Sequence, residues 1–251
     1  MPKRDLIYDN GSVKIYRDGD RAIKVFPRTS YDRVAATARI QAFARGAGLP
    51  VPAVYGVRRT GIAKIAFEMA YIEGRLLITD EMDREQTKDA IIEMARLHSM
   101  IGAVDGGGLP DFTEPLSREI MKSAHLSEPV KEGLLSLMRR LDTGKTNLCH
   151  GDMHPGNIVF GGEKYWIIDW SRSCVSRGDP AADACNTYLY QLRFMPDYAQ
   201  VYLDAFCGMS GVRREDVLAW LPVIAGYQIN IKDDEEREFI LRIIDEWHGG
   251  Q

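Results

Sequence analysis

One stretch constrains this chain more than any other: Leu148-Cys149-His150-Gly151-Asp152-Met153-His154-Pro155-Gly156-Asn157, followed by an apolar segment that closes on Ile167-Ile168-Asp169-Trp170. The run Asn157-Ile158-Val159-Phe160 enters Gly161-Gly162-Glu163-Lys164, and the run Tyr165-Trp166-Ile167-Ile168 leaves it. This pattern predicts a β-hairpin with a four-residue, glycine-containing loop. Pairing Phe160 with Tyr165 sets Val159 opposite Trp166, Ile158 opposite Ile167 and Asn157 opposite Ile168, so Asn157 and Asp169 meet at the open end of the hairpin. An amide oxygen and a carboxylate together suit a hard cation such as Mg2+. Asp152 lies five residues before Asn157, on the loop feeding that end, where it is placed to accept a proton from a hydroxyl.

This set of groups fits phosphoryl transfer, in which metal ions neutralise phosphate oxygens and a carboxylate orients the attacking hydroxyl. The kinase catalytic-loop pattern separates its Asp and Asn by four residues and adds a second metal-binding Asp after the next hairpin, and Asp152, Asn157 and Asp169 match it. Gly151 stands where protein kinases carry Arg, and Trp170-Ser171 stands where they carry Phe-Gly. With the HGDxHxxN form, the chain resembles the aminoglycoside phosphotransferase and choline kinase-like superfamily. Two plainer readings compete. The loop could be polar turn residues capping a hairpin, or His150, Asp152 and His154 could ligate a transition metal as in metallohydrolases. The second reading lacks further ligands, because His98, His125 and His248 are scattered.

The resemblance implies a bilobal, protein-kinase-like α+β fold, and the sequence pattern agrees. Short strands are predicted at Leu6–Tyr8, Ser12–Tyr16 and Ala22–Phe26, a helix at Tyr31–Arg45, and strands near Val54–Val57 and Ile65–Met69. Helical spacing follows at Ala90 to His98, Val130 to Leu141 and Phe239 to Trp247. We expect a small antiparallel β-sheet N-lobe with one helix, residues 1–70, and a larger, mainly helical C-lobe, residues 71–251, carrying the catalytic loop 148–170 and the acceptor site. A length of 251 residues with 45% hydrophobic content accommodates both. A net charge of -4 without a polybasic cluster argues against nucleic acid and a membrane surface as partners. The start of the chain lacks a signal-peptide pattern, no apolar run reaches a membrane span, and four irregularly spaced cysteines do not make a disulfide framework, so a cytoplasmic protein with reduced thiols is expected.

The resemblance implies ATP and Mg2+ as cofactors, with Asn157 and Asp169 as the metal ligands. It also implies that Lys24, in the middle of an apolar strand, binds the α- and β-phosphates. Ser12, in the turn Asn10-Gly11-Ser12, stands where a phosphate-covering loop belongs, and Phe67–Tyr71 resembles a kinase hinge, with the main chain at Met69 and Tyr71 reading adenine. One departure stands out. The helix Glu that pairs with the strand Lys in such kinases is replaced by Thr37, and no acidic residue lies between Arg33 and Gly48. Either Asp169 and the nucleotide alone orient Lys24, or the chain is a nucleotide-binding regulatory pseudokinase.

Only eight residues separate Asp169 from Gly178, too few for a peptide-binding activation segment, which favours a small hydroxylated acceptor. The resemblance extends to Gly-Asp-Pro-Ala-Ala-Asp-Ala and implies that Asp179 and Asp183 are structural acids anchoring the catalytic loop and capping a helix, with direct contact to substrate as the alternative. The cluster Asp233-Asp234-Glu235-Glu236 reads as the solvated first turn of the last helix, with attraction of a cationic amino sugar as the alternative. Tyr188, Tyr190, Tyr198, Tyr202 and Tyr227 read as core, with a quaternary-amine cage as the alternative. His98 reads as a packing histidine.

Overall fold

The computed structural model describes residues 4–61, 64–171, 173–231 and 233–250. The chain gathers into two compact units, Met1–Met82 with Pro155–Cys174, and Asp83–His154 with Val175–Gln251.

The first unit is built on an antiparallel sheet of β1 (Asp5–Asp9), β2 (Lys14–Asp18), β3 (Arg21–Pro27), β4 (Val54–Gly61) and β5 (Lys64–Ala70), in the order β1-β2-β3-β5-β4. Helix α1 (Tyr31–Gly46) packs on β4 and β5. Ser30 caps this helix by accepting from the Arg33 N–H. In the ladder, Ala22, Lys24 and Phe26 of β3 stand opposite Met69, Phe67 and Ile65 of β5. Cross-strand partners share a face, so this row lies on the side where Val34 and Ala38 of α1 join Ile65 and Phe67 in a buried cluster edged by Phe26 and Met69. The strand alternation thus sets Lys24 on the helix side of the sheet. Gln41 and Arg45 of α1 donate to the Pro52 and Val51 carbonyls and fix the connection into β4.

Strand β2 begins at Lys14 and not at the expected Ser12. The reason is local: Asn10 Oδ1 accepts from the Ser12 and Val13 N–H groups and Asp9 Oδ1 from the Gly11 N–H, an Asx-type turn that takes the backbone out of the ladder.

The same unit holds a second sheet, ordered β6-β8-β9, from β6 (Arg75–Leu76), β8 (Ile158–Gly161) and β9 (Lys164–Ile167). Its hairpin has the expected register, with Ile158, Val159 and Phe160 opposite Ile167, Trp166 and Tyr165. The loop is tighter than expected. Gly161 pairs with Lys164, leaving a two-residue turn in which Gly162 and Glu163 both adopt positive φ, 61° and 64°. That is the mirror-image turn whose twist matches a right-handed hairpin. Gly161 and Gly74 are forced by close approach: a Cβ on either would strike the facing backbone at Glu73 or Phe160.

The second unit is helical. It comprises α2 (Arg84–Gly102), α3 (Thr113–Lys122), α4 (Glu128–Leu141), α5 (Pro180–Phe194), α6 (Pro196–Ser210), α7 (Arg214–Ala219), α8 (Leu221–Gln228) and α9 (Asp234–Gly249), with a small antiparallel pair of β7 (Asn147–Cys149) and β10 (Ser176–Gly178). Asp83 and Gln86 form a capping box at the start of α2. The apolar stripe Ala90, Ile91, Met94, Ala95, His98 is buried, and α2 packs on α6. Helix α8 is apolar almost throughout, and Pro222 to Gly226 are buried where it meets α3, α4, α5 and α9. Among the described residues no helix is long and apolar enough to cross a membrane.

Candidate active site

In the first unit the hairpin brings Asn157 and Asp169 to one end, as its register requires. The Ile168 N–H donates to the Asn157 carbonyl at 2.9 Å, which extends the ladder one pair beyond the strands. Asn157 is buried at the end of a short 3-10 turn, Pro155–Asn157. Asp169 sits in the left-handed region with φ 60°. A non-glycine residue there is uncommon, Asp being one of those that tolerate it, and such conformations gather at functional sites. Trp170 locks the turn from below: its ring is fully buried and its Nε1–H donates to the Ile167 carbonyl at 3.0 Å. The Ser171 N–H donates back to the Asp169 carbonyl.

Lys24 Nζ reaches Asp169 Oδ1 at 2.9 Å. The lysine is mostly buried, whereas the Asp169 side chain keeps 40% exposure, so one carboxylate oxygen holds the lysine while the group stays open to solvent. Thr37 lines a cleft of about 200 Å3 with Phe26, Thr29, Arg33, Val34, Ser171 and Ser173, none of which carries a carboxylate. Asp169 is an acidic partner of Lys24.

Ser12, Met69 and Tyr71 also lie in this unit. The turn that holds Ser12 spends its N–H on Asn10, which leaves the hydroxyl as the group Ser12 can offer a ligand. Met69 packs into the cluster under α1. The Tyr71 N–H donates to the Asp20 carbonyl at 2.8 Å, and the Tyr71 ring lies under the Arg17 guanidinium.

The second unit carries Asp152. Its loop, residues 150–154, is held residue by residue by one face of α5. Asp183 Oδ2 accepts from the His150 N–H at 2.7 Å and Oδ1 from the Gly151 N–H at 2.9 Å. Asn186 Nδ2 donates to the Gly151 carbonyl, Thr187 Oγ1 to the Met153 carbonyl, and the Tyr190 ring stacks on His154 at 5.1 Å. Positions 183, 186, 187 and 190 recur at helical spacing on one face. Gly151 takes φ 74°, which lets the loop reverse ahead of Asp152. The Asp152 side chain is about half exposed, with the His154 Nε2 at 3.9 Å.

Asp183 is the hub. Besides the two backbone donors it meets His98 Nε2 at 2.9 Å, and His98 Nδ1 lies 2.7 Å from the Tyr202 hydroxyl. Burial pushes the Asp183 carboxyl up, but the His98 charge and hydrogen bond, the His150 charge and the Gly151 N–H outweigh it and hold the group below the ordinary carboxylate range. Asp179 caps α5 through the Ala181 N–H and pairs with Lys145. Both acids are structural, and His98 is the packing histidine that its helical spacing implies. Asn186 and Thr187 were not legible as loop-holding residues, because their partners lie more than thirty positions away, and Tyr190 was named as core or cage, not as the partner of His154.

His150, Asp152 and His154 do not form a transition-metal site. His150 is buried, His154 is stacked on Tyr190, and among the described residues no three His, Cys, Asp or Glu side chains gather as ligands. Asn157 and Asp169 remain as an oxygen-donor pair of the kind that suits Mg2+.

A model described as the phosphotransferase enzyme family matches residues 9–220. No curated protein sequence matches the chain. Among solved structures, the GDP complex of wild-type aminoglycoside 2'-phosphotransferase-IIIa has a TM-score of 0.64 at 15% identity, covering 99% of this chain and 93% of that one. A thermostable mutant of aminoglycoside phosphotransferase APH(4)-Ia, in ternary complex with AMP-PNP and hygromycin B, has a TM-score of 0.66 at 15% identity, covering 98% and 92%. A choline/ethanolamine kinase family protein from Mesorhizobium loti has a TM-score of 0.66 at 16% identity, covering 97% and 87%. These likenesses establish the fold as α+β and protein-kinase-like.

Proposed function

The chain belongs to the phosphotransferase enzyme family, and on that footing we propose that it transfers the γ-phosphate of ATP to a hydroxyl of a small molecule, an aminoglycoside, amino alcohol or sugar-like acceptor. Residues 1–70 serve as the nucleotide-binding lobe, and residues 71–251, with the loop 148–170, serve catalysis and the acceptor. The observation that carries this reading is the Lys24–Asp169 pair at 2.9 Å, with Asp169 held at positive φ one residue past the hairpin that starts at Asn157.

In the proposed reaction the acceptor oxygen bonds to the γ-phosphorus as the bond from that phosphorus to the β,γ-bridging oxygen breaks, and ADP departs. The hydroxyl proton passes to the Asp152 carboxylate, which also orients the attacking oxygen. Lys24 donates to the α- and β-phosphates, and the Ser12 hydroxyl to the phosphates from the β1–β2 turn. Because the Tyr71 N–H is already bonded to Asp20, the Tyr71 carbonyl, with the main chain at Met69, reads the adenine edge. Asn157 and Asp169 would hold Mg2+, which would neutralise phosphate oxygens.

The alternative, a regulatory pseudokinase, rests on Thr37. Lys24 has Asp169 as its acidic partner, so loss of the helix acid does not leave the lysine without one, and turnover is the better reading. Thermal unfolding of wild type and Asp169→Ala with and without saturating Mg·ATP tests it. Ligand at about 100 times its dissociation constant adds roughly 2.7 kcal/mol, on the order of 5–10 °C for a chain this size. A metal-dependent rise absent from the variant is expected, and no rise in wild type would overturn the proposal.

A further inference from the structure

Resting on the phosphotransferase reading above, we infer that Asn186, Gln228 and Arg193 are positioning residues for the proposed base: they form a one-way hydrogen-bond relay that fixes the peptide joining Gly151 to Asp152, and Arg193 sets its direction. Two observations carry this, one on the backbone at Gly151 and one on the chemistry of the three side chains.

Asp152 follows the one glycine of the loop 150–154. Gly151 takes φ 74°, and without a Cβ nothing in the residue itself confines its backbone. Both of its main-chain groups are held from α5: the N–H donates to Asp183 Oδ1 at 2.9 Å, and the carbonyl accepts from Asn186 Nδ2 at 3.0 Å. The Gly151 carbonyl lies in the same rigid peptide plane as the Asp152 N–H and Cα, so the Asn186 bond fixes where the Asp152 side chain leaves the chain. A carboxylate such as Asp183 can only accept. Asn186 accepts through one end of its amide and donates through the other, so its hold on the carbonyl depends on which end faces Gly151.

That choice is made at the ends of α8 and α5. Gln228 Nε2 donates to Asn186 Oδ1 at 2.6 Å, which turns the Asn186 amide nitrogen toward Gly151. Gln228 Oε1 in turn accepts from Arg193 at 2.6 Å. A guanidinium carries donors alone and stays charged, so it admits only the oxygen end of Gln228, and each amide down the line then presents its nitrogen to the next acceptor. The Arg193 side chain is 9% exposed, and Glu236 of α9 pairs with it and supplies the counter-charge. The relay bonds are part-buried, where aligned dipoles polarise one another and an acceptor turned on an acceptor costs more than in water. Gly151, Asn186, Arg193, Gln228 and Glu236 all lie in the second unit.

Gln228→Glu tests the direction. Glutamate accepts from Arg193 more strongly than the amide does but offers no N–H to Asn186, so an oxygen must face an oxygen either at Asn186 or at Gly151. A purely structural brace would be kept or tightened by the same change. Wild type and variant are compared by hydrogen exchange of the peptide spanning residues 148–154, by thermal unfolding with and without Mg·ATP, and by ADP release with whichever of kanamycin, hygromycin B, choline and ethanolamine wild type turns over. Faster exchange in that peptide and a kcat lower by on the order of tenfold are expected, with the acceptor KM, the unfolding midpoint and the Mg·ATP shift close to wild type. Unchanged exchange or unchanged kcat in the folded variant would overturn the inference, and if wild type turns over none of the four compounds the exchange alone decides. If Gln228→Glu fails to fold, Arg193→Lys and Arg193→Gln decide instead: lysine is again a donor only and keeps the loop exchange near wild type, glutamine can present either end and speeds it, and equal exchange in the two would overturn the relay. Absence of a Mg·ATP shift in wild type would remove the phosphotransferase reading, and the positioning role with it, whereas the loop exchange reads the relay separately.

Discussion

Asp183 is the side chain on which stability and catalysis should fail together. Three donors converge on its carboxylate, His150 N–H at 2.7 Å, Gly151 N–H at 2.9 Å and His98 Nε2 at 2.9 Å, and the group is buried. Asp183→Ala removes the acceptor that all three donors share. Each buried donor left unsatisfied costs about 1–3 kcal/mol, so for three donors a total loss of about 3–5 kcal/mol is expected after partial relaxation. Urea unfolding followed by tryptophan fluorescence reads it directly. Asp183→Asn, which keeps one acceptor oxygen, should lose roughly half as much. A pH series adds a signed check. The folded carboxyl titrates below its unfolded value of about 3.9, so its contribution is fully present above about pH 4 and is lost as pH falls through the folded value. The gap between wild type and Asp183→Ala should narrow as pH falls through that acid range. The two N–H groups also position the loop one residue before Asp152, and kcat should fall on the order of 10²-fold even at temperatures where the variant is folded. A loss under about 1 kcal/mol with unchanged kcat would refute the reasoning, since the accounting of unsatisfied donors leaves no route to it.

Two further outcomes follow from burial. Cys149 and Cys185 are buried and burial pushes both thiols up, with Asp183, Asp179 and Asp111 adding to it at Cys149. Ellman's reagent should therefore modify Cys174 and Cys207 in the native protein and reach the other two only on unfolding, and rapid modification of all four in the folded protein would contradict it. Gly178→Ala would drive a Cβ into the Phe112 ring, which itself packs edge-on against Trp220 at 5.3 Å. A loss of about 1–3 kcal/mol is expected, and an unchanged urea midpoint would show that Phe112 yields freely.

The hairpin was legible because two continuous apolar runs flank one glycine-containing turn, so that pairing Phe160 with Tyr165 brings Asn157 and Asp169 to one end. Its turn length was not, because whether Gly161 and Lys164 pair or splay depends on the positive φ at Gly162 and Glu163, which residue types alone do not dictate. The start of β2 was misplaced for a similar reason: Asn10 captures three-residue-range amides that strand propensity at Ser12 and Val13 cannot outbid. Lys24 on its strand and Thr37 on its helix were readable, and the sequence left Asp169 as the lysine's remaining acidic partner. The face of α5 that holds the catalytic loop was not readable beyond Asp183. Asn186 and Thr187 look like ordinary helix residues until tertiary packing brings Gly151 and Met153 against them, and the sequence set Tyr190 among candidate core or cage tyrosines without its partner His154. The acids of α9 show the same limit. Their place in a first helical turn was legible, whereas the buried Arg193 that claims Glu236 lies more than forty positions earlier.

The most direct measurement is phosphate transfer itself. Wild type and Asp152→Asn are incubated with Mg·ATP and the best acceptor, with ADP release followed continuously and the phosphorylated acceptor identified by 31P NMR. Stoichiometric ADP and phosphoester in wild type are expected, with kcat lower by about 10²–10⁴ in Asp152→Asn and the Mg·ATP thermal shift retained. ADP formed with free phosphate and no phosphoester, or a variant as fast as wild type, would contradict the assignment of Asp152 and of the reaction.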